Sequence, residues 1–187
     1  MNERLRRALV LFAPGFEEVE GITPVDFLRR AGVEVLMVGV GHRVVAGNHN
    51  IRVHTDIVID ELPSDLAYDA VVLPGGMPGA ANLSENPTVM ELIERTYAAD
   101  LLVAAICAAP GVVLGKTTIL ENRKFTCYPG YEQNVEAGHF CEDRVVLSDN
   151  VITSRGPGTA AEFAEAIITY LFDAATAGKL HTQTIQK

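Results

Sequence analysis

Short runs rich in Val, Ile, Leu and Ala alternate along this chain with longer amphipathic segments, and that alternation admits few folds. Neighbouring strands separated by a helix cannot pair through a tight turn. They must lie parallel, with the helices covering the faces of the sheet. The runs predict parallel strands over Ala8–Ala13, Glu34–Val38, Ala70–Leu73, Leu101–Ile106 and Val151–Thr153. Helices are expected over Thr23–Ala31, Thr88–Ala98, Cys107–Leu114 and Thr159–Ala174. Between Val44 and Ile59, Gly47-Asn48 separates two runs that suit a hairpin or an antiparallel edge. Two helix starts carry signals: Thr23 as a cap before Pro24, and Thr159 with Glu162 as a capping box. The last segment, Thr176–Lys187, loses periodicity and reads as a terminal cap or a mobile tail.

At 187 residues, with no repeat and no Pro/Gly/Ser linker, the chain is expected to form one domain spanning 1–187. A net charge of −9 repels phosphate backbones, so nucleic acid is not indicated as a partner. The apolar run Leu101–Leu114 is broken by Pro110 and falls short of the roughly 20 residues a bilayer span needs, so no membrane partner is expected. Arg4, Arg6 and Arg7 precede a short apolar run. Glu17, Glu18 and Glu20 stand where a signal cleavage site belongs, so the run reads as a first strand and the protein as cytoplasmic. The 3 cysteines, Cys107, Cys127 and Cys141, form neither a CxxC pair nor a His-spaced set, and the 5 histidines form no ligand pair. No metal and no cofactor is expected.

In an open α/β sheet, ligands gather beyond the carboxyl ends of the strands. There the chain places Pro14–Glu20, Pro74–Gly79, Cys107–Pro110 and Ser154–Thr159. Cys107 lies between an apolar strand and a helix, among Ala105, Ala108 and Ala109, as in a nucleophile elbow. Helix-end amides there lower a thiol pKa; the competing reading is a buried structural cysteine. Glutamates in a first helical turn usually face water, but a carboxylate packed on a thiolate must either share a proton with it or rise in pKa. Pro74-Gly75-Gly76 suits backbone N–H donation to an oxyanion, or is an ordinary turn. Gly111–Thr117 imitates a phosphate loop, but its glycines are one residue too close, so nucleotide binding is rejected.

Five segments together resemble the ThiJ/PfpI superfamily: Gly15–Glu20 after the first strand, Pro24–Asp26 with Arg29–Gly32, Val71–Gly76, Ala104–Pro110 and Thr153–Thr159. More narrowly, they are similar to the branch that holds the parkinsonism-associated deglycase and bacterial YajL. The resemblance implies a flavodoxin-like three-layer α/β sandwich with a mostly parallel sheet, usually as a homodimer. It implies catalytic roles for Cys107 and Glu20, with the glutamate protonated and hydrogen-bonded to the cysteine, and an anion pocket lined by Gly75, Gly76 and Ala108. Glu17 and Arg155 are candidate lining residues, and Glu17 and Arg30 match positions near the family's dimer contact.

One departure stands out. Relatives with a cysteine–histidine pair carry His before a proline where this chain has Tyr128-Pro129. Tyrosine, with an ordinary pKa near 10, is a poor proton shuttle at neutral pH, so Tyr128 lines the site and the base is Glu20 or none. Ala108 after Cys107 and the lack of a downstream His-x-Glu separate the chain from the peptidase and amidotransferase branches. Two functions follow from the resemblance. One is a cofactor-independent enzyme of glyoxalase or deglycase type acting on small carbonyl substrates. The other is a redox-sensing or chaperone-like stress protein whose cysteine is oxidised to sulfinate without turnover.

Overall fold

The apolar run after Arg7 has no polar side chain to present to water, and it is buried accordingly as β1 (Arg7–Phe12), Ala8 to Phe12 lying at 0–1% exposure. The computed structural model describes residues 5–186; Arg4 of the basic head lies outside them. After β1 come α1 (Glu18–Arg30), β2 (Glu34–Gly39), the hairpin β3 (Val44–Ala46) and β4 (Arg52–His54), and β5 (Ile57–Val58). Next are β6 (Ala70–Leu73), α2 (Gly79–Glu85), α3 (Pro87–Ala98), β7 (Leu102–Ile106), α4 (Ala109–Val112), β8 (Lys124–Phe125) and β9 (His139–Phe140). The chain closes with β10 (Val145–Ser148), β11 (Val151–Ser154), α5 (Ala160–Leu171) and α6 (Ala174–Gln183).

The main sheet has 7 strands in the order β10-β11-β7-β6-β1-β2-β5. All pairs are parallel except β10 with β11, where Val146 faces Thr153 in antiparallel register. Within it, β2-β1-β6-β7-β11 is the flavodoxin-like order. Helices α1 and α5 pack on each other against the sheet, and α2, α3 and α4 form a second packed group. This is the mostly parallel α/β sandwich expected. No helix among the described residues is long and apolar enough to cross a membrane.

Several local expectations need correction. Helix α1 starts at Glu18, and Pro24 lies inside it instead of opening it. The Glu17 carbonyl already accepts from the amides of Glu20 and Gly21 at 3.1 Å, so the turn is closed before Pro24 is reached. Pro24 then merely leaves the Glu20 carbonyl without a helical donor. The box of Thr159 and Glu162 does not form, although α5 begins after Thr159. The Thr159 hydroxyl bonds Ser154 Oγ at 2.6 Å and accepts from the Gly156 amide at 3.1 Å, while Glu162 pairs with Arg144. The expected Thr159–Ala174 helix ends at Leu171, and Asp173, whose carboxylate accepts from the Thr176 amide at 2.7 Å, caps the separate helix α6 in the supposed tail. The Cys107–Leu114 helix shrinks to α4 and a following 3₁₀ turn. Segments α2, β8, β9 and β10 were not expected; all are short.

Candidate active site

Cys107 follows β7 directly and adopts φ 64°, a left-handed conformation that non-glycine residues rarely take. Two hydrogen bonds pin it there. Its amide donates to the Ser154 carbonyl at 2.9 Å, and its carbonyl accepts from the Tyr128 amide at 2.8 Å. Such backbone strain costs about 1–3 kcal/mol and persists only when the surroundings enforce it. The result is a thiol at the end of β7, at 8% exposure, in an elbow between strand and helix.

Glu20 reaches the same point from the first turn of α1, fully buried. Its Oε2 accepts from the Gly75 amide at 3.0 Å, and Oε1 has no hydrogen-bonding partner. Burial pushes the Glu20 carboxyl up to about 7, against the opposing pull of the Cys107 thiol and the Gly75 amide, with the charge of Glu17 adding a smaller push. Cys107 is driven well above the ordinary thiol range by burial, then by the charge of Glu20 and its hydrogen bond; the Gly76 and Ala108 amides oppose this and lose. The expectation of a thiol lowered by helix-end amides therefore meets a site where burial and a carboxylate outweigh them. Helix α4 is a single turn, too short to sum a large dipole. Thiol and carboxyl are coupled: the carboxyl is the first of the two to lose its proton, and its charge then strongly opposes ionisation of the thiol.

The glycines explain how the two groups come so close. A Cβ on Gly75 would lie 2.7 Å from Cys107 Cβ and 2.8 Å from Glu20 Oε2. Gly76, at φ 84°, would place one 2.4 Å from the Glu17 amide nitrogen. The expected set of anion donors thus divides. Gly75 gives its N–H to Glu20, whereas Gly76 and Ala108 direct theirs at the Cys107 sulfur.

The remaining candidates scatter. Glu17 is half-buried beside Gly76, its amide donating to the Gly75 carbonyl at 2.9 Å. The Tyr128 side chain is 47% exposed, with its ring edge 3.2 Å from where a Cβ on Gly156 would stand. Arg155 is partly buried, its guanidinium 5.8 Å from the Phe140 ring centroid. Arg30 faces solvent and pairs with Asp26 at 2.7 Å. Cys127 is fully buried, and burial pushes its thiol up to about 12.

Glu18, expected as a first-turn glutamate to face water, and His49, one of the histidines expected to form no ligand pair, instead meet near the site. Glu18, 6% exposed, takes the His49 amide at 2.7 Å, the Ile51 amide at 3.3 Å and His49 Nδ1 at 2.9 Å, fastening the β3–β4 hairpin to α1. The approach requires Gly47, because a Cβ there would lie 2.4 Å from Glu18 Cδ. Glu17, Glu18 and His49 place one ligand atom each within 4.8 Å of one another, the one such group among the described residues. In the structure these atoms pair with each other, His49 lying 3.7 Å from Glu17.

The model of the DJ-1/PfpI family matches residues 6–170. The chain belongs to that family. It is 39% identical over 186 residues to the Parkinson disease protein 7 homolog of Danio rerio, covering 97% of this chain and 98% of that protein. It is 37% identical to the glutathione-independent glyoxalase DJR-1.2 of Caenorhabditis elegans, covering 89% of each. Among solved structures, oxidized Toxoplasma gondii DJ-1 superposes with a TM-score of 0.92 at 33% identity, covering 96% of this chain and 98% of that one. The recognition made from five short segments thus agrees with similarity along nearly the whole length.

Proposed function

We propose that this DJ-1/PfpI family member is a cofactor-independent enzyme that uses Cys107 and Glu20 to convert small reactive carbonyls or their adducts, protecting against carbonyl and oxidative stress. The observation that carries the reading is the fully buried Glu20, raised to about 7 and coupled to the elbow thiol. A carboxyl poised near neutral pH exchanges protons in both directions, which moving a proton between two adjacent carbons demands. Similarity to a relative named as a glutathione-independent glyoxalase supports the same chemistry.

In the proposed reaction on a 2-oxoaldehyde, the Cys107 sulfur bonds to the aldehyde carbon and the oxygen takes up the proton held by the pair. The Gly76 and Ala108 amides steady the developing oxyanion. Glu20 removes the proton from that carbon and returns it to the neighbouring carbonyl carbon, while the hydroxyl proton on the first carbon passes to the former ketone oxygen, so that the first carbon is oxidised and the second reduced. Water cleaves the resulting thioester, giving a 2-hydroxy acid and free thiol. The same first adduct opens a deglycase route when the carbonyl arrives bound to an amine or thiol. Tyr128 and Glu17 line the proposed entrance. A homodimer of single-domain chains is part of the proposal, supported by Val19 and Ile22, which α1 leaves 47% and 38% exposed.

The test is lactate release from methylglyoxal without added thiol. Repeated turnover by the native protein and none by Cys107→Ser supports the enzyme. A second reading, sulfinate formation without turnover, is favoured by Glu20 Oε1, buried without a partner and suited to donate to an oxygen on Cys107. Peroxide-driven gain of two oxygens at Cys107, with no lactate, would select it.

A further inference from the structure

An open cleft of about 210 Å³ is lined by Tyr128, Pro129, Arg144, Arg155 and the loop from Gly156 to Thr159. It adjoins the reacting pair. A Cβ on Gly156 would stand 3.2 Å from the Tyr128 ring and 4.0 Å from Glu20 Oε1, and the Ser154 carbonyl that accepts the Cys107 amide is bonded directly to Arg155. The two arginines differ in availability. Arg144 is held by Glu162 at 2.8 Å and by the Gly158 carbonyl at 2.7 Å. Arg155 forms no ion pair among the described residues; it is partly exposed and lines the cleft, and its Nη1 is buried with no protein acceptor. Glu132 accepts from the Gly130 amide at 2.7 Å.

A sealed donor of a cation lacking an acceptor is uncommon in folded proteins, because its desolvation is uncompensated. The Phe140 ring, 5.8 Å away, holds the guanidinium but accepts none of its N–H bonds in plane. The planar fork of an arginine matches a carboxylate better than any other small group. We propose that Arg155 is the anchor of a carboxylate subsite, so that the preferred substrates are reactive carbonyls bearing a carboxylate a few bonds from the reacting carbon. The proposal rests on the reading of Cys107 as the reacting thiol. An example is 4,5-dioxopentanoate, which with one water becomes 2-hydroxyglutarate: the aldehyde carbon is oxidised to a carboxylate and the adjacent ketone carbon reduced to a carbinol.

The test reads the subsite without turnover. The protein is alkylated with N-iodoacetylglycine and, separately, with its neutral amide, and modification at Cys107 is followed by mass spectrometry. In each case a sulfur–carbon bond forms as carbon–iodine breaks and iodide leaves. The reference is the acid-to-amide rate ratio for free N-acetylcysteine. With a net charge of −9 the protein as a whole disfavours the acid, so a ratio about ten-fold above the reference is expected only from a local cation. Arg155→Gln should return it to the reference, and Arg155→Lys should fall between, keeping the charge without the fork. A native ratio no higher than the reference, or one that survives Arg155→Gln, overturns the proposal. Turnover is a separate arm. If 4,5-dioxopentanoate and methylglyoxal are both left unconverted, the proposed enzyme fails while the alkylation ratio still decides the subsite. If both are converted with equal kcat/KM, the carboxylate preference is overturned.

Discussion

Glu18 and Glu20 stand next but one to each other in α1, and both carboxyls are shut away from water, at 6% and 0% exposure. Their acidities nevertheless move in opposite directions. For Glu18, burial pulls upward, but the His49 ring, the Glu18 amide and the amides of His49 and Ile51 together hold it below the ordinary 4.5. Glu20 receives one backbone amide and faces a thiol, so burial prevails and takes it to about 7. Helix position is nearly the same for both, but Glu20 lies deep in the core and Glu18 close beneath the surface. Depth of burial and the count of donors brought by distant loops together decide that one carboxylate clamps a hairpin and the other holds a proton.

The contrast can be broken at several points. The largest effect is expected from Cys107→Ser, which should bring lactate formation from methylglyoxal to the buffer rate in a discontinuous lactate assay. Glu20→Gln keeps a hydrogen-bonding amide but loses the exchanging proton, so turnover in the same assay should fall by roughly two orders of magnitude or more.

The two glutamates should also show opposite linkage to pH. Glu20 binds its proton more tightly folded than unfolded, so its contribution to stability falls as pH rises from 4.5 to about 7 and is fully lost above. By the size of the shift this amounts to about 3 kcal/mol. Urea unfolding at pH 5 and pH 8 should show that loss in the native protein and its absence in Glu20→Gln, making the impaired variant the more stable one at pH 8. Equal pH dependence of the two would remove the account of the raised carboxyl.

Glu18 has the reverse sign. Its contribution is complete above 4.5 and is lost as pH falls through the lowered folded value. Glu18→Gln should cost about 1–3 kcal/mol at pH 7, the scale of charge-assisted hydrogen bonds. Hydrogen exchange should rise at the His49 and Ile51 amides, whereas turnover should hold within about three-fold. The smallest change is expected from Tyr128→Phe. The Tyr128 side chain stands 47% exposed at the edge of the site, and turnover should stay within about two-fold.

How much of this was legible beforehand follows the range over which each feature is determined. Period and apolar content marked β1, β2, β6, β7 and β11, because a strand buried on both faces has no place for polar residues. The strand-to-helix junction at Cys107 and the glycines at 75 and 76 were visible too, since crowding of this kind excludes larger side chains locally. The helix starts misled. Thr23-Pro24 looked like a beginning because proline favours one, yet the turn had already closed on the Glu17 carbonyl. Thr159 looks like a capping box, but Ser154 and the Gly156 carbonyl take its hydroxyl.

What the sequence by itself determined was therefore the layered parallel sheet and the residues gathered at its carboxyl edge, because both follow from local pattern and from the geometry that connects parallel strands. Tertiary structure alone decided what those residues are chemically. The Gly75 amide reaches Glu20 across 55 positions of chain and His49 reaches Glu18 across 31. Proton affinity depends on the neighbours met at a few ångströms, and those neighbours are assigned by the fold.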